Sequence, residues 1–108
     1  MKPEVLTPIR FTRGDKRTFV VGVKQRPLAT GDTVTMTVRR YVNSPDILMQ
    51  KVVTEFVEGK AYLYIKNADT KDIPFGSYIY DIQVTEPDGE PVTIFKGDFI
   101  LTWEATYD

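Results

Sequence analysis

The side chains that could do chemistry in this chain are carboxylates, lysines, arginines and tyrosines, because its 108 residues include neither histidine nor cysteine. Those two residue types supply the commonest general base, the thiolate nucleophile and the usual ligands of zinc. Ser44 and Ser77 are the only serines, and neither lies in a nucleophile elbow. We therefore predict a non-enzymatic protein with no catalytic residue, no cofactor and no metal site.

The fifteen acidic residues suggest two further kinds of site. Asp69, Asp72 and Asp81 could offer oxygen ligands to calcium, but their spacing fits no loop that wraps an ion. We predict that they are solvated, with Asp69 and Asp72 favouring a short helical turn through its dipole. A glycosidase needs two carboxylates facing each other across a cleft, and the sequence singles out no such pair.

Aromatic and basic residues are the better candidates for contact with a partner. Tyr62 and Tyr64 alternate with Ala61, Leu63 and Ile65, which predicts two outward tyrosines that are either cross-strand partners or contact surface. Trp103 follows the last predicted strand and either holds the tail to the sheet or anchors a partner. The predicted partner-binding residues are Arg13, Lys16, Arg17, Tyr62, Tyr64 and Trp103.

Charge is divided unevenly along the chain, although the formal net charge is only -1. Residues 1–26 hold seven bases and two acids, whereas residues 69–108 hold two bases and nine acids. Two interpretations stay open: the charges offset each other within one molecule, or the module stacks head to tail on copies of itself or on a partner. Nucleic-acid binding is not expected, because the acidic remainder would repel phosphate.

Short alternating apolar runs separated by Gly, Pro, Asn and Asp recur about every ten to twelve residues, which is typical of a sandwich or barrel. The clearest alternation lies in residues 33–40, whereas residues 47–55 are apolar on both faces, which a bulge or a two-sided environment would explain. Arg13-Gly14-Asp15 spells the tripeptide that integrins recognise, but we interpret it as a tight turn. Strands are predicted over residues 9–12, 18–23, 33–40, 47–55, 61–66, 76–85 and 92–101.

The last two predicted strands form a hairpin over residues 76–99. Pro87, Asp88 and Gly89 form its turn, because proline pre-sets φ and glycine takes positive φ. Gly97 interrupts the second strand, which indicates a bulge. A short helical turn near residues 68–72, with Asn67 as its N-cap, is predicted before this hairpin.

We therefore predict an all-β fold: one domain over residues 1–108, with about seven antiparallel strands in two sheets. Residues 1–7 and 104–108 are predicted to be flexible ends. No apolar run approaches the roughly 20 residues of a membrane helix, and no signal peptide is evident, so we predict synthesis in the cytoplasm and no membrane contact.

Two resemblances refine this prediction. Gly76-x-Tyr78-x-Tyr80 resembles the tyrosine corner of immunoglobulin-like domains, with Tyr80 where antibody-type domains have cysteine. It implies an immunoglobulin-like β-sandwich without a disulfide. The whole chain also resembles immunoglobulin-like modules of phage and prophage tails and baseplates, particularly the N-terminal domain of the baseplate upper protein family. The segments that carry this second resemblance are Phe11-Thr-Arg-Gly-Asp15, Gly31-Asp-Thr-Val-Thr-Met-Thr-Val38, Asp69-Thr-Lys-Asp-Ile-Pro-Phe-Gly-Ser-Tyr-Ile-Tyr-Asp-Ile82 and Lys96-Gly-Asp-Phe99.

The second resemblance implies a virion structural protein of a phage or prophage, made in the cytoplasm of a bacterial host. Its expected partners are other virion proteins or further copies of the same chain, with contacts made through protein surfaces. The alternative is a carbohydrate-binding or host-surface-binding β-sandwich module, in which exposed aromatic rings stack on sugars.

Overall fold

The computed structural model describes residues 5–102, in which eight strands and one single-turn helix follow one another. The prediction of an all-β fold is therefore confirmed, and each of the seven predicted strands is present. The elements are β1 (Val5–Leu6), β2 (Ile9–Thr12), β3 (Arg17–Val21), β4 (Thr33–Arg39), β5 (Ile47–Val53), β6 (Ala61–Ile65), α1 (Asn67–Thr70), β7 (Gly76–Thr85) and β8 (Val92–Thr102).

The described strands form two sheets. In the larger sheet, β5, β4, β7 and β8 pair in that order and antiparallel, and β1 and β2 both pair parallel to β8. The smaller sheet is the antiparallel pair β3 and β6. The prediction that all strands are antiparallel is wrong for β1 and β2, because turn signals identify pairs of consecutive strands, whereas Ile9 pairs with Phe99 at the far end of the chain.

One cluster of buried apolar side chains forms the core, and both sheets contribute to it. In β4, Val34, Met36 and Val38 are completely buried, and Leu63 of β6 is buried with them. Each such side chain stabilises the fold by roughly 1.5–3 kcal/mol relative to an exposed position. The alternation of buried and exposed residues therefore determines which side chains of each strand remain available for contacts.

Both long strand pairs contain an irregularity. The register of β4 and β5 shifts where Leu48 is the extra residue, so the bulge that explained the unclear alternation of residues 47–55 is confirmed. The register of β7 and β8 shifts at Ile94, since Phe95 pairs with Ile82 and Thr93 with Gln83. The bulge predicted at Gly97 is therefore wrong in position.

Gly97 lies in regular register opposite Tyr80, and its missing side chain serves a close approach of backbone instead. A Cβ atom at this position would lie 2.6 Å from the carbonyl oxygen of Thr7. The same carbonyl accepts a hydrogen bond from the Tyr80 hydroxyl, and the Thr7 amide donates to the Lys96 carbonyl at 3.0 Å. Glycine at residue 97 thus allows the start of the chain to lie against β8.

The tight turn predicted at Arg13-Gly14-Asp15 is present, whereas the predicted N-cap of the helix is not. Gly14 has φ 87° and the Asp15 amide donates to the Thr12 carbonyl at 3.0 Å, which confirms the tight turn. The N-cap of α1 is Lys66 and not Asn67, so that prediction is wrong by one residue. The reason is Asp69, whose carboxylate accepts the Lys66 amide at 2.7 Å and so caps the helix one position earlier.

Part of the first predicted flexible end belongs to the larger sheet, since Val5–Leu6 pair with Phe95 and Lys96 of β8. Residues 1–4 and 103–108, with the rest of the predicted ends and Trp103, lie outside the described residues. Within the described range, no helix has the length and apolar character needed to cross a membrane.

Candidate functional site

The predicted tyrosines lie together on the outer face of the smaller sheet. Tyr64 pairs with Thr18 and Tyr62 with Val20, and these four residues are called the tyrosine face. Tyr62 is 46% exposed, Tyr64 47% and Val20 54%. The two tyrosines are therefore cross-strand neighbours of β3 residues and also surface residues, so both interpretations made from the sequence apply.

The other side of the sheet that carries the tyrosine face packs into the core. Ala61, Leu63 and Ile65 of β6 are completely buried and alternate with the two tyrosines. A tyrosine presents a large apolar ring and a hydroxyl while losing only two side-chain torsions on binding. This face is suited to contact with a protein surface or to stacking on a sugar ring.

The predicted cations belong to a separate surface at the turn between β2 and β3. We call Arg10, Arg13, Lys16 and Arg17 the basic corner. The Arg17 guanidinium lies 4.7 Å from the centre of the Phe19 ring and donates to the Arg10 carbonyl at 2.9 Å. Arg17 thus shares a side of β3 with Phe19, opposite to the tyrosine face.

The basic corner is fixed to the neighbouring elements. The Arg13 guanidinium lies 4.0 Å from the centre of the Phe75 ring, which orders this cation. The Gly14 amide donates at 2.9 Å to the Oγ1 atom of Thr70, a completely buried residue of α1. Lys16 is exposed beside them. The structure therefore separates the predicted partner-binding residues into two surfaces, and Trp103 lies outside the described residues.

A charged groove that the sequence did not reveal crosses the outer face of β4, β7 and β8. Its volume is about 670 Å³, and its charged lining residues are Arg39, Asp81, Lys96 and Asp98. Burial raises the pKa of Asp81 above the ordinary 3.8, while the positive charges of Arg39 and Lys96 act in the opposite direction. Alternation identifies these residues as outward, but only the strand order brings them side by side.

The three aspartates considered as calcium ligands do not form one site. Asp69 pairs with the Nζ atom of Lys51 at 2.6 Å. Burial favours a higher pKa for Asp69, but the Lys51 ammonium and the Lys66 amide outweigh it and lower the pKa. Asp81 lies in the charged groove instead. Among residues 5–102, no three acidic side chains gather as a group that could hold a metal ion.

At the end of the molecule away from the basic corner, Arg26 joins the loop before β4 to the turn after β7. Its guanidinium donates to both carboxylate oxygens of Asp32, at 2.8 and 3.0 Å, and to Glu86 at 2.8 Å. The Arg26 hydrogen bonds lower the pKa of Asp32. Part of the charge division in the sequence is therefore offset within one molecule.

The turn between β7 and β8, residues 86–91, carries Glu86, Asp88 and Glu90 and no base. All three acids are exposed, and we call them the acidic tip. The Gly89 amide donates to the Glu86 carbonyl at 3.0 Å, which confirms the predicted turn. The positive φ predicted for Gly89 is wrong, because this glycine is the fourth residue of the turn, where positive φ is not required.

Comparison with known proteins adds no family to these observations. The chain matches no model of a known protein family, and no curated protein matches it.

Proposed function

We propose that this chain is a non-enzymatic structural protein of a phage or prophage particle that acts through contacts between protein surfaces. The observation that carries the proposal is the tyrosine face, where Val20, Tyr62 and Tyr64 are each about half exposed on a sheet whose other side packs into the core. Exposed aromatic and apolar side chains grouped on one face are typical of protein interaction sites. The assignment to a virion rests on the resemblance carried by the four sequence segments described above.

An immunoglobulin-like sandwich is the fold that we propose for this role. Three observations support it: β1 and β2 run parallel to β8 at one edge, β3 and β6 form a separate sheet, and the Tyr78 hydroxyl donates to the Pro74 carbonyl at 2.6 Å. In immunoglobulin-like domains, a tyrosine near the start of strand F that bonds to backbone a few residues upstream forms the tyrosine corner, and Tyr78 has this position at the start of β7.

The test of the proposed function uses particles from a strain that encodes the chain. After prophage induction and density-gradient purification, we expect mass spectrometry to detect the wild-type chain in the particle fraction. The Tyr62→Ala/Tyr64→Ala variant is expected to be depleted from that fraction at least tenfold while remaining folded by circular dichroism. The matched control is Tyr41→Ala, because Tyr41 is exposed in the loop after β4 and outside the tyrosine face. Absence of the wild-type chain from the particles would contradict the proposal.

The alternative function is binding of carbohydrate on the same two rings, which are neighbours on one side of β6. Isothermal titration with soluble cell-wall glycans distinguishes the two. Saturable binding that Tyr62→Ala removes, together with unchanged incorporation of that variant into particles, would favour the carbohydrate-binding function.

A further inference from the structure

We propose that copies of this chain associate head to tail, with the acidic tip of one copy against the basic corner of the next. The inference goes beyond the proposed function, because it concerns the two ends of the molecule and does not use the tyrosine face. It assigns a partner, a second copy of the chain, to the charge division that the sequence left with two interpretations.

The two surfaces lie at opposite ends of the strands. The basic corner adjoins the end of β8 and the start of β7, since the Arg13 amide donates to the Thr102 carbonyl at 3.2 Å and Gly76 pairs with Leu101. The acidic tip follows Thr85, at the other end of β7. The ten residues of β7 span about 33 Å. That separation exceeds the Debye length of roughly 8–10 Å at physiological salt, so each end presents its charge independently.

The formal charges of the two ends match in magnitude. Residues 10–17 contain four bases and one acid, a balance of +3, and residues 86–91 contain three acids and no base, a balance of -3. Contact between unlike ends is therefore attractive, whereas contact between like ends is repulsive. This difference selects a head-to-tail arrangement over a symmetric pairing of two identical ends.

The cations of the basic corner are ordered before they meet a partner, and most of the acidic tip is unpaired. Arg13 and Arg17 stack on the Phe75 and Phe19 rings, so these long side chains lose less conformational freedom when an anion binds. Of the three acids of the acidic tip, only Glu86 pairs with Arg26. Within the part of the chain that the structure describes, Asp88 and Glu90 form no ion pair, so their charges are available to a second copy.

A second copy fits these observations better than any other polyanion or polycation. Each molecule carries both halves of the contact, and the contact is heterologous, so the same interface can repeat from copy to copy. A nucleic acid could neutralise the basic corner, but it would leave the acidic tip without a partner. The complementary charges of the tip and the corner are used together only when the partner is the chain itself.

The experiment is sedimentation velocity of the full chain over a range of concentrations. At about 20 mM salt we expect the average mass to rise with concentration, and at about 500 mM salt we expect a monomer, because screening removes interactions between exposed charges. A wild-type chain that stays monomeric at low salt, even if it binds a polyanion such as heparin, would overturn the proposal.

Charge reversal makes the test specific. Lys16→Glu/Arg17→Glu and Asp88→Lys/Glu90→Lys should each weaken association at low salt at least tenfold. An equimolar mixture of the two variants should recover it, since each supplies the end that the other has reversed. Failure of the mixture to associate, or unchanged association of either variant alone, would overturn the proposal.

Two controls separate this result from other effects. Asp98→Lys changes net charge at an exposed residue of β8 away from both ends, and it should preserve association. Tyr62→Ala/Tyr64→Ala should also preserve it, so failure of the proposed function and failure of self-association are distinguishable. Circular dichroism confirms that each variant is folded.

Discussion

The link between Arg26 and Asp32 gives the sharpest stability prediction. Asp32 is only 4% exposed and accepts hydrogen bonds from Arg26 at 2.8 and 3.0 Å and from the Ala29 amide at 2.9 Å. Asp32→Asn removes the charge and places an amide donor against the guanidinium. Breaking a fully buried ion pair costs about 3–5 kcal/mol. Because Arg26 is 34% exposed and keeps contact with water, we expect a loss of about 2 kcal/mol.

Urea unfolding at pH 7 measures this loss, and Glu86→Gln is the matched control. Glu86 binds the same guanidinium, but its side chain is 54% exposed, so the control should cost less than about 0.5 kcal/mol. The expected difference between the two variants arises from burial of the carboxylate and not from the number of ion pairs. An equal or larger loss for Glu86→Gln would refute it.

The effect of Asp32→Asn on the free energy of unfolding should depend on pH, with a sign that follows from the direction of the Asp32 pKa shift. The Arg26 hydrogen bonds lower the pKa of Asp32 below its ordinary 3.8. A depressed pKa in the folded state means that the stabilisation is present above pH 3.8 and is lost as pH falls through the folded value. We therefore expect the difference in free energy of unfolding between wild type and Asp32→Asn to be constant near neutral pH and to shrink in acid. A difference that grows on acidification would contradict this assignment.

Two further substitutions test contacts of the larger sheet by urea unfolding. Gly97→Ala should cost about 1–3 kcal/mol, because the new Cβ atom would overlap the Thr7 carbonyl, and it should also reduce hydrogen-exchange protection of the Thr7 amide. Gly22→Ala is the control and should be tolerated, because the nearest atom to its new Cβ is a carbon of the flexible Lys60 side chain 3.5 Å away. Tyr78→Phe should cost about 1 kcal/mol, because the Pro74 carbonyl loses its donor, and the exposed Tyr64→Phe should leave stability unchanged.

The elements of the fold could be predicted because they depend on neighbouring residues. Alternation of Val34, Met36 and Val38 identifies β4 wherever it lies in the sheet, and the turn at Gly89 needs only local chemistry. Parallel pairing of β2 with β8 could not be predicted, because it joins residues about ninety positions apart. The misplaced bulge has the same cause: a glycine in a strand signals a bulge or a close approach, and Thr7 decides between them only in the folded chain.

The candidate surfaces could be predicted in part for similar reasons. Outward tyrosines follow from alternation with buried residues of β6, and the exposed partner Val20 could have been found from the same pattern in β3. Arg17 could not be assigned to a surface, because its guanidinium turns toward Phe19 and away from the tyrosine face. The charged groove depends on strand order, which places Asp81 opposite Lys96 on β8 and beside β4.

The positions of the two proposed surfaces make them compatible with one another. The tyrosine face lies on the outer face of the smaller sheet, whereas the acidic tip and the basic corner are at the ends of the strands. Arg17 turns to the side of β3 opposite to the tyrosine face, so a head-to-tail contact made on that side leaves Tyr62 and Tyr64 exposed on every copy. Because a heterologous contact repeats, copies joined in this way would present the tyrosine face once per molecule. The tyrosine faces of several associated copies can then bind a neighbouring assembly together, so a modest affinity of each face suffices for stable attachment.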